Sequence, residues 1–263
     1  MSETTLRTER AGAVARLVLA RPGKLNALTA NLHAELRSAL ESLAADDEVR
    51  VVVLTGEGRA FSAGQDLTET LPRDEQGRID LGPPLARDYN PLLLQLVDFA
   101  KVTIAALNGP AVGASMNIAL ACDIVLAARS AYLQEAFVHI GLIPDAGGTW
   151  LLPRIVGPRL ASALMLTGDR IPAEEAKSMG LVYRVFEDAE FESGVADFAR
   201  VLSEGPALAH RLTKRALRES LGNELEAQLD LETSLQREAG FSMDFAEGLK
   251  AFRDKRSPRF AGR

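Results

Sequence analysis

The sequence predicts an α/β protein built around a parallel sheet, and three observations carry that expectation. Residues 49–55, 102–107 and 123–128 are short, almost unbroken apolar runs, the pattern of strands buried on both faces. The first two run into glycine-punctuated turns followed by helix-like sequence, so strand, turn and helix recur along the chain. Beyond about residue 145 strand signals become scarce and helical periodicity takes over.

Taken in order, residues 13–20 alternate and are partly β-branched, which reads as a strand broken by Arg21-Pro22-Gly23-Lys24. Thr29 is placed to cap a helix running to about Ala45, with Leu32, Leu36, Leu40 and Leu43 on one face. After the strand at 49–55 come a glycine-rich loop at 56–66, a polar Pro- and Gly-rich segment at 71–84 and a helix at 85–99. The strand at 102–107 turns at Asn108-Gly109-Pro110 into a small-residue helix over 113–121. Further helices are expected at 147–156, 158–166, 173–179, 191–202, 207–221, 224–238 and 241–252. Residues 1–200 are read as the core and 201–263 as a helical region suited to oligomer contacts.

Composition narrows the function classes. The 263 residues suffice for one large domain, with 47% hydrophobic and 25% charged residues. A formal net charge of −6 argues against general binding to nucleic acid or a membrane surface. An anionic ligand must then be held by local cations and backbone dipoles. Residues 1–10 are polar, without the apolar core of a signal peptide, and no run approaches a membrane span. With the single Cys122 there is no intrachain disulfide, and a cytoplasmic protein is the expectation.

Two segments share a form: Phe61-Ser62-Ala63-Gly64-Gln65-Asp66-Leu67 and Asn108-Gly109-Pro110-Ala111-Val112-Gly113-Ala114-Ser115. Each leaves a buried strand through small residues that let a ligand approach the main chain. Two main-chain N–H groups converging on one oxygen make an oxyanion hole, although glycine turns after strands are more often plain connections. The third segment, Gly141-Leu142-Ile143-Pro144-Asp145-Ala146-Gly147-Gly148-Thr149, sets an acid directly before a glycine pair and a helix. Asp145 is then either a helix N-cap or a carboxylate facing a ligand, with Phe137, Leu142 and Ile143 as apolar neighbours.

Other residues are expected to be structural. Asp123 is read as a hydrogen-bonding residue and Cys122 as core. Glu135 is read as a surface or interface salt-bridging residue, His33 and His210 as surface residues on helices, and His139 as structural. The row Arg211, Lys214, Arg215 and Arg218 is read as a solvated helix face. The three histidines lack metal-ligand spacing, so no metal site is expected.

The three ordered motifs together resemble the crotonase, or enoyl-coenzyme A hydratase/isomerase, superfamily. The resemblance runs from Leu19-Ala20-Arg21-Pro22 to Lys255-Arg256-Ser257-Pro258-Arg259-Phe260. It implies a spiral of ββα units with a helical trimerisation region, in a homotrimer or dimer of trimers. It implies an acyl-coenzyme A thioester as substrate, with coenzyme A part of the substrate and no separate cofactor. The N–H groups of Gln65 and Ala114 would hold the thioester oxygen. Lys24, Leu25 and Ala63 would line the adenine pocket, and Lys255 would reach a phosphate, across a subunit boundary if need be. Asp66 is counted among the substrate-facing candidates, although a loop-stabilising role is the larger expectation. Tyr89 and Asn90 either line the acyl pocket or pack their helix.

Departures from the family pattern shape the chemistry. The two glutamates with which hydratases of the superfamily activate water match Asn117 and Phe137 here, and neither can serve as a carboxylate base. Those two positions are expected to line the acyl site instead. Asp145 remains. The stretches Tyr89-Asn90-Pro91-Leu92, Ala127-Ala128-Arg129-Ser130-Ala131 and Lys255-Arg256-Ser257-Pro258 resemble the isomerases of ring-epoxidised phenylacetyl-coenzyme A. Isomerisation with Asp145 as acid and base is therefore expected. The alternatives are a hydratase whose water Asp145 activates, a dehalogenase in which it is the nucleophile, and a non-catalytic acyl-coenzyme A binding subunit.

Overall fold

The computed structural model describes residues 5–262; residues 1–4, part of the polar N-terminal stretch, lie outside it. The chain opens with β1 (Leu6–Ala11) and β2 (Val14–Leu19), an antiparallel hairpin. The sequence reading missed β1. It is an edge strand with all but Leu6 exposed, and its Arg7, Glu9 and Arg10 give no alternating apolar pattern. Helix α1 (Ala30–Ala45) follows, and Thr29 caps it as expected, its Oγ1 accepting from Leu32 N. Strand β3 (Val51–Gly56) is next.

The segment expected as one helix at 85–99 is divided. After a single turn, α2 (Gly82–Pro84), residues Leu85–Tyr89 form a π turn and α3 spans Asn90–Asp98. Pro91 is the cause. It has no N–H for the preceding turn and its ring crowds the carbonyl four residues back, so the backbone widens and Asn90 N bonds Leu85 O instead.

Strand β4 (Val102–Leu107) leads to the short β5 (Ala111–Val112) and to α4 (Ala114–Leu120), while β6 (Ile124–Ala128) leads to β7 (Tyr132–Gln134). The six-stranded sheet has the order β1-β2-β3-β4-β6-β9 and the three-stranded sheet β5-β7-β8, with β8 (Arg170–Pro172) and β9 (Arg184–Phe186) completing them. Successive units thus place one strand in each layer: β4 then β5, β6 then β7. The unit headed by β3 does the same in miniature, because Ser62 forms a parallel bridge with Ala111. This is the expected spiral of ββα units. From β2 to β9 every pairing in the large sheet is parallel.

The unbroken apolar runs now have a cause. Val52 and Leu54 of β3 face the main core, whereas Val51 and Val53 face a second cluster with Phe191, Val195 and Ala199 of a helix on the other side. That helix is α8 (Phe191–Ser203), which follows α5 (Gly148–Val156), α6 (Pro158–Thr167) and α7 (Ala173–Ser178). The last helices are α9 (Ala207–Ser220), α10 (Leu225–Gly240) and α11 (Met243–Arg253). They bury few residues and leave Leu217, Leu225, Phe241 and Phe252 exposed. No helix among the described residues is long and apolar enough to cross a membrane.

The expected solvated row on α9 needs correction. Lys214 is turned inward, with Nζ 2.7 Å from an Asp123 carboxylate oxygen and donating to the carbonyls of Phe99 and Lys101. Asp123 also accepts from Thr103 N and Oγ1, the structural role expected of it. Cys122 is buried in the core, and burial pushes its thiol up to about 12.

Candidate active site

The loops leaving β3 and β4 lie side by side. Ser62 N donates to Pro110 O and Val112 N to Ser62 O, while Ser115 Oγ donates to Ser62 O and Val112 O. Gly64 sits at φ 85°, and a Cβ there would lie 2.7 Å from Val112 O and 4.0 Å from Ala114 N. Only glycine permits that approach. Gly113, at φ 58°, turns the chain into α4, whose seven residues are all buried. Around these turns Gly64 N, Asp66 N, Gly113 N and Met116 N all have acceptors. Among the described residues the N–H groups of Gln65 and Ala114 have none.

Tyr89 connects this pair of loops to α3. The π turn aims its side chain inward, and its hydroxyl donates to Gln65 Oε1. Burial, and secondarily the charge of Asp145, raises the proton affinity of the phenol. A cavity of about 330 Å³ opens between Gln65, Glu69, Arg87 and Tyr89. Asn90, by contrast, is exposed on the outer side of α3.

Asp145 is not a helix cap. The cap of α5 is Gly147, which makes no side-chain bond, and the Asp145 side chain takes no part. Its carbonyl instead accepts from Gly148 N and from Asn117 Nδ2 at 2.9 Å each. Ala146 and Gly147 at φ 46° and 76° make a tight left-handed turn that releases the carboxyl from the helix end. Oδ1 of Asp145 is buried without a hydrogen-bond partner, and burial pushes the carboxyl up to about 6. Phe137 completes the enclosure, its ring 3.7 Å from where a Cβ on Gly113 would stand.

The structure therefore brings Gln65, Ala114, Tyr89, Asn117, Phe137 and Asp145 together. Lys24, Leu25 and Ala63 stand at the neighbouring rim: Ala63 N donates to Leu25 O, with Lys24 and Ala63 exposed. Two further candidates lie apart from this group. The Asp66 carboxylate is engaged by Arg21 at 2.9 Å and by the Thr68 hydroxyl, the loop-stabilising role expected of it. The Thr68 hydroxyl, then the guanidinium, holds it down to about 2. Lys255 is not joined to the site within one chain. The tail beyond it is pinned by Arg50 and Asp244 at the N-terminal end of β3, opposite the end from which the site loops emerge.

Two residues were missed. Glu135, expected at the surface, is completely buried, with neither carboxyl oxygen hydrogen-bonded. Burial pushes it up to about 8, with the neighbouring Asn117 side chain opposing the shift and Asp145 adding to it. His33, also expected at the surface, is buried against the Tyr89 ring at a centroid distance of 4.1 Å. The helical period that puts Leu32 and Leu36 inside also places position 33 beside that face, the one signal that pointed to it.

The two-layer spiral, with free main-chain donors at the edge of its small-residue turns, defines the crotonase class. The chain belongs to the enoyl-CoA hydratase/isomerase family, whose model matches residues 9–263. It is 43% identical over 250 residues to the 1,2-epoxyphenylacetyl-CoA isomerase of Escherichia coli, covering 95% of each chain. It is 38% identical to 4-chlorobenzoyl coenzyme A dehalogenase-2 of an Arthrobacter species, covering 97% of this chain and 92% of that protein. A crystal structure of enoyl-CoA hydratase from Bacillus anthracis superposes with a TM-score of 0.90 at 32% identity, covering 99% of this chain and 100% of that one.

Proposed function

We propose that the chain is an acyl-coenzyme A isomerase that converts ring-1,2-epoxyphenylacetyl-coenzyme A to its oxepin, shifts enoyl double bonds, or does both. The observation that carries the reading is the Asp145 carboxyl, unpaired at Oδ1, raised to about 6 and placed where both hydratase glutamate positions hold non-acids. The Gln65 and Ala114 N–H groups take the thioester oxygen as it becomes an enolate, each donor contributing roughly 3–4 kcal/mol. Asp145, ionised, removes a proton beside or in conjugation with the thioester. The electrons move onto the held oxygen, and the same carboxyl returns the proton at another carbon. No water enters and no second base is needed, which suits the apolar Phe137 at the enclosure. Expansion of the epoxide ring likewise keeps every atom of the substrate. The coenzyme A moiety rests along Lys24, Leu25 and Ala63, and a trimer, whose second subunit offers Lys255, completes the site.

The test is a panel of acyl-coenzyme A thioesters, with the ring epoxide and a 3-enoyl thioester among them, against wild type and Asp145→Asn. Wild type isomerises one of them, and the variant binds it but turns it over at least about a hundredfold more slowly. Equal turnover by the variant overturns the role of Asp145. Oxygen from labelled water appearing in the product makes the protein a hydratase instead.

A further inference from the structure

Three buried polar groups on three separate elements lack partners in one place: Oδ1 of Asn117 on α4, both oxygens of Glu135 just after β7, and Oδ1 of Asp145 ahead of α5. Unpaired buried polar atoms are rare because each costs its full desolvation, so three together need a common cause. They have complementary needs. An amide oxygen can only accept, a carboxylate can only accept, but a carboxylic acid carries one donor. Asn117 already commits one amide hydrogen to the Asp145 carbonyl, and its side chain stands close enough to Glu135 to oppose in part the upward push of burial on that carboxyl.

We propose that Glu135 is a positioning residue for the base: its carboxylic acid donates to Asn117 Oδ1, and Asn117 in turn holds the main chain of Asp145. A small rotation of the Glu135 carboxyl makes the bond and satisfies two of the three unpaired groups. The third, Asp145 Oδ1, is left free for substrate. The groups bearing on the charge of Glu135 are Asn117 from α4 and Asp145 from the loop ahead of α5. Asp145 is an acid, so its ionisation holds the proton on Glu135. Burial, which places Glu135 at about 8 and Asp145 at about 6, separates the two carboxyls into a proton holder and a base near neutral pH. Above about pH 8 Glu135 loses its donor, two acceptors face each other, and the turn carrying Asp145 loosens.

The inference rests on the proposed role of Asp145, and its test can fail separately from that role. In the full-length protein, kcat and KM are followed from neutral to alkaline pH. Wild-type kcat falls above about pH 8. Glu135→Leu lowers neutral-pH kcat about ten- to a hundredfold with a smaller change in KM. Glu135→Gln, whose amide donates at every pH, recovers most of that loss and abolishes the alkaline fall. The infrared spectrum of wild type at neutral pH contains a protonated-carboxyl band that Glu135→Gln lacks, an observation that requires no turnover. An alkaline fall that persists in Glu135→Gln, or no such band, overturns the proposal. Turnover surviving Asp145→Asn overturns the assignment of the base instead.

Discussion

Asn117 Nδ2 donates to the main-chain carbonyl of Asp145 at 2.9 Å, tying the buried helix α4 to the turn that presents the site's carboxylate. Asn117, the position that the family resemblance matches to a hydratase glutamate, carries an amide here and engages the Asp145 turn through this hydrogen bond. A Cβ on Gly148 would come within 2.4 Å of its amide nitrogen, so α4 and α5 close on it tightly. Asn117→Ala should lower kcat by about ten- to a hundredfold while KM changes little, because the base is loosened and the coenzyme A contacts are untouched. Asn117→Asp cannot donate to the carbonyl and sets a like charge near Asp145. The acidic limb of its pH–rate profile should move above about 6, and steady-state kinetics across pH checks both variants.

Asp145 also links activity to stability with a defined sign. Its folded-state value of about 6 lies above the ordinary 3.8, so between those values the native state holds more proton than the unfolded chain. The group therefore costs stability increasingly as pH rises through that window, and the cost is full above it. Asp145→Asn should stabilise the protein at pH 7 by on the order of 1 kcal/mol, partial exposure of the group having been allowed for. The gain should vanish below about pH 4, where wild-type Asp145 is protonated in both states. Denaturant melts at the two pH values decide this, and a variant no more stable at pH 7 contradicts the burial argument.

Gly64 offers a test of how close the two donor loops must lie. Gly64→Ala combines a left-handed φ of 85° with a Cβ 2.7 Å from Val112 O, whereas Gly12→Ala has φ 59° and nothing within 4 Å. The second substitution reports backbone strain alone, roughly 1–2 kcal/mol. The first should cost a further 1–3 kcal/mol, roughly, because Val112 must move. It should also lower kcat about a hundredfold, as the Gln65 and Ala114 donors separate. Equal stability of the two variants would show that the loops can part without penalty.

The residues that carried the sequence reading were those whose backbone demands are local. Gly64 and Gly113 stand at positive φ, Thr29 caps its helix, and the runs at β3 and β4 are apolar because both faces of the sheet are covered. What stayed hidden depended on contacts between distant segments. Lys214 has ordinary helix-surface spacing, and only the fold places Asp123 beneath it. Glu135 follows a three-residue strand in the smaller sheet, too short to show periodicity, and only the fold brings Asn117 and Asp145 to it. The strand β1 was illegible because an exposed edge carries charge where a core strand carries valine. The sequence reading ran one helix through Pro91, and a π turn that rotates Tyr89 inward is a tertiary outcome.

His33 supplies a prediction that no catalytic assumption enters. Its ring is buried with both nitrogens unpaired, packed at 60° against Tyr89, which in turn holds Gln65. Burial lowers it to about 4, the nearby Asp88 acting weakly in the opposite sense. The unfolded chain, with a histidine near 6.5, therefore binds more proton than the native state between those values. Stability should fall as pH drops from 6.5 towards 4, by at most about 3 kcal/mol from this group. His33→Phe fills the same space without a titrating nitrogen and should flatten that part of the profile, while His33→Ala should leave a cavity and cost about 2–4 kcal/mol at every pH. Chemical denaturation of the three proteins at several pH values separates the two effects. If His33→Phe kept the full wild-type loss below pH 6.5, the ionisation responsible would lie elsewhere. The Tyr89 contact would then be a matter of packing alone.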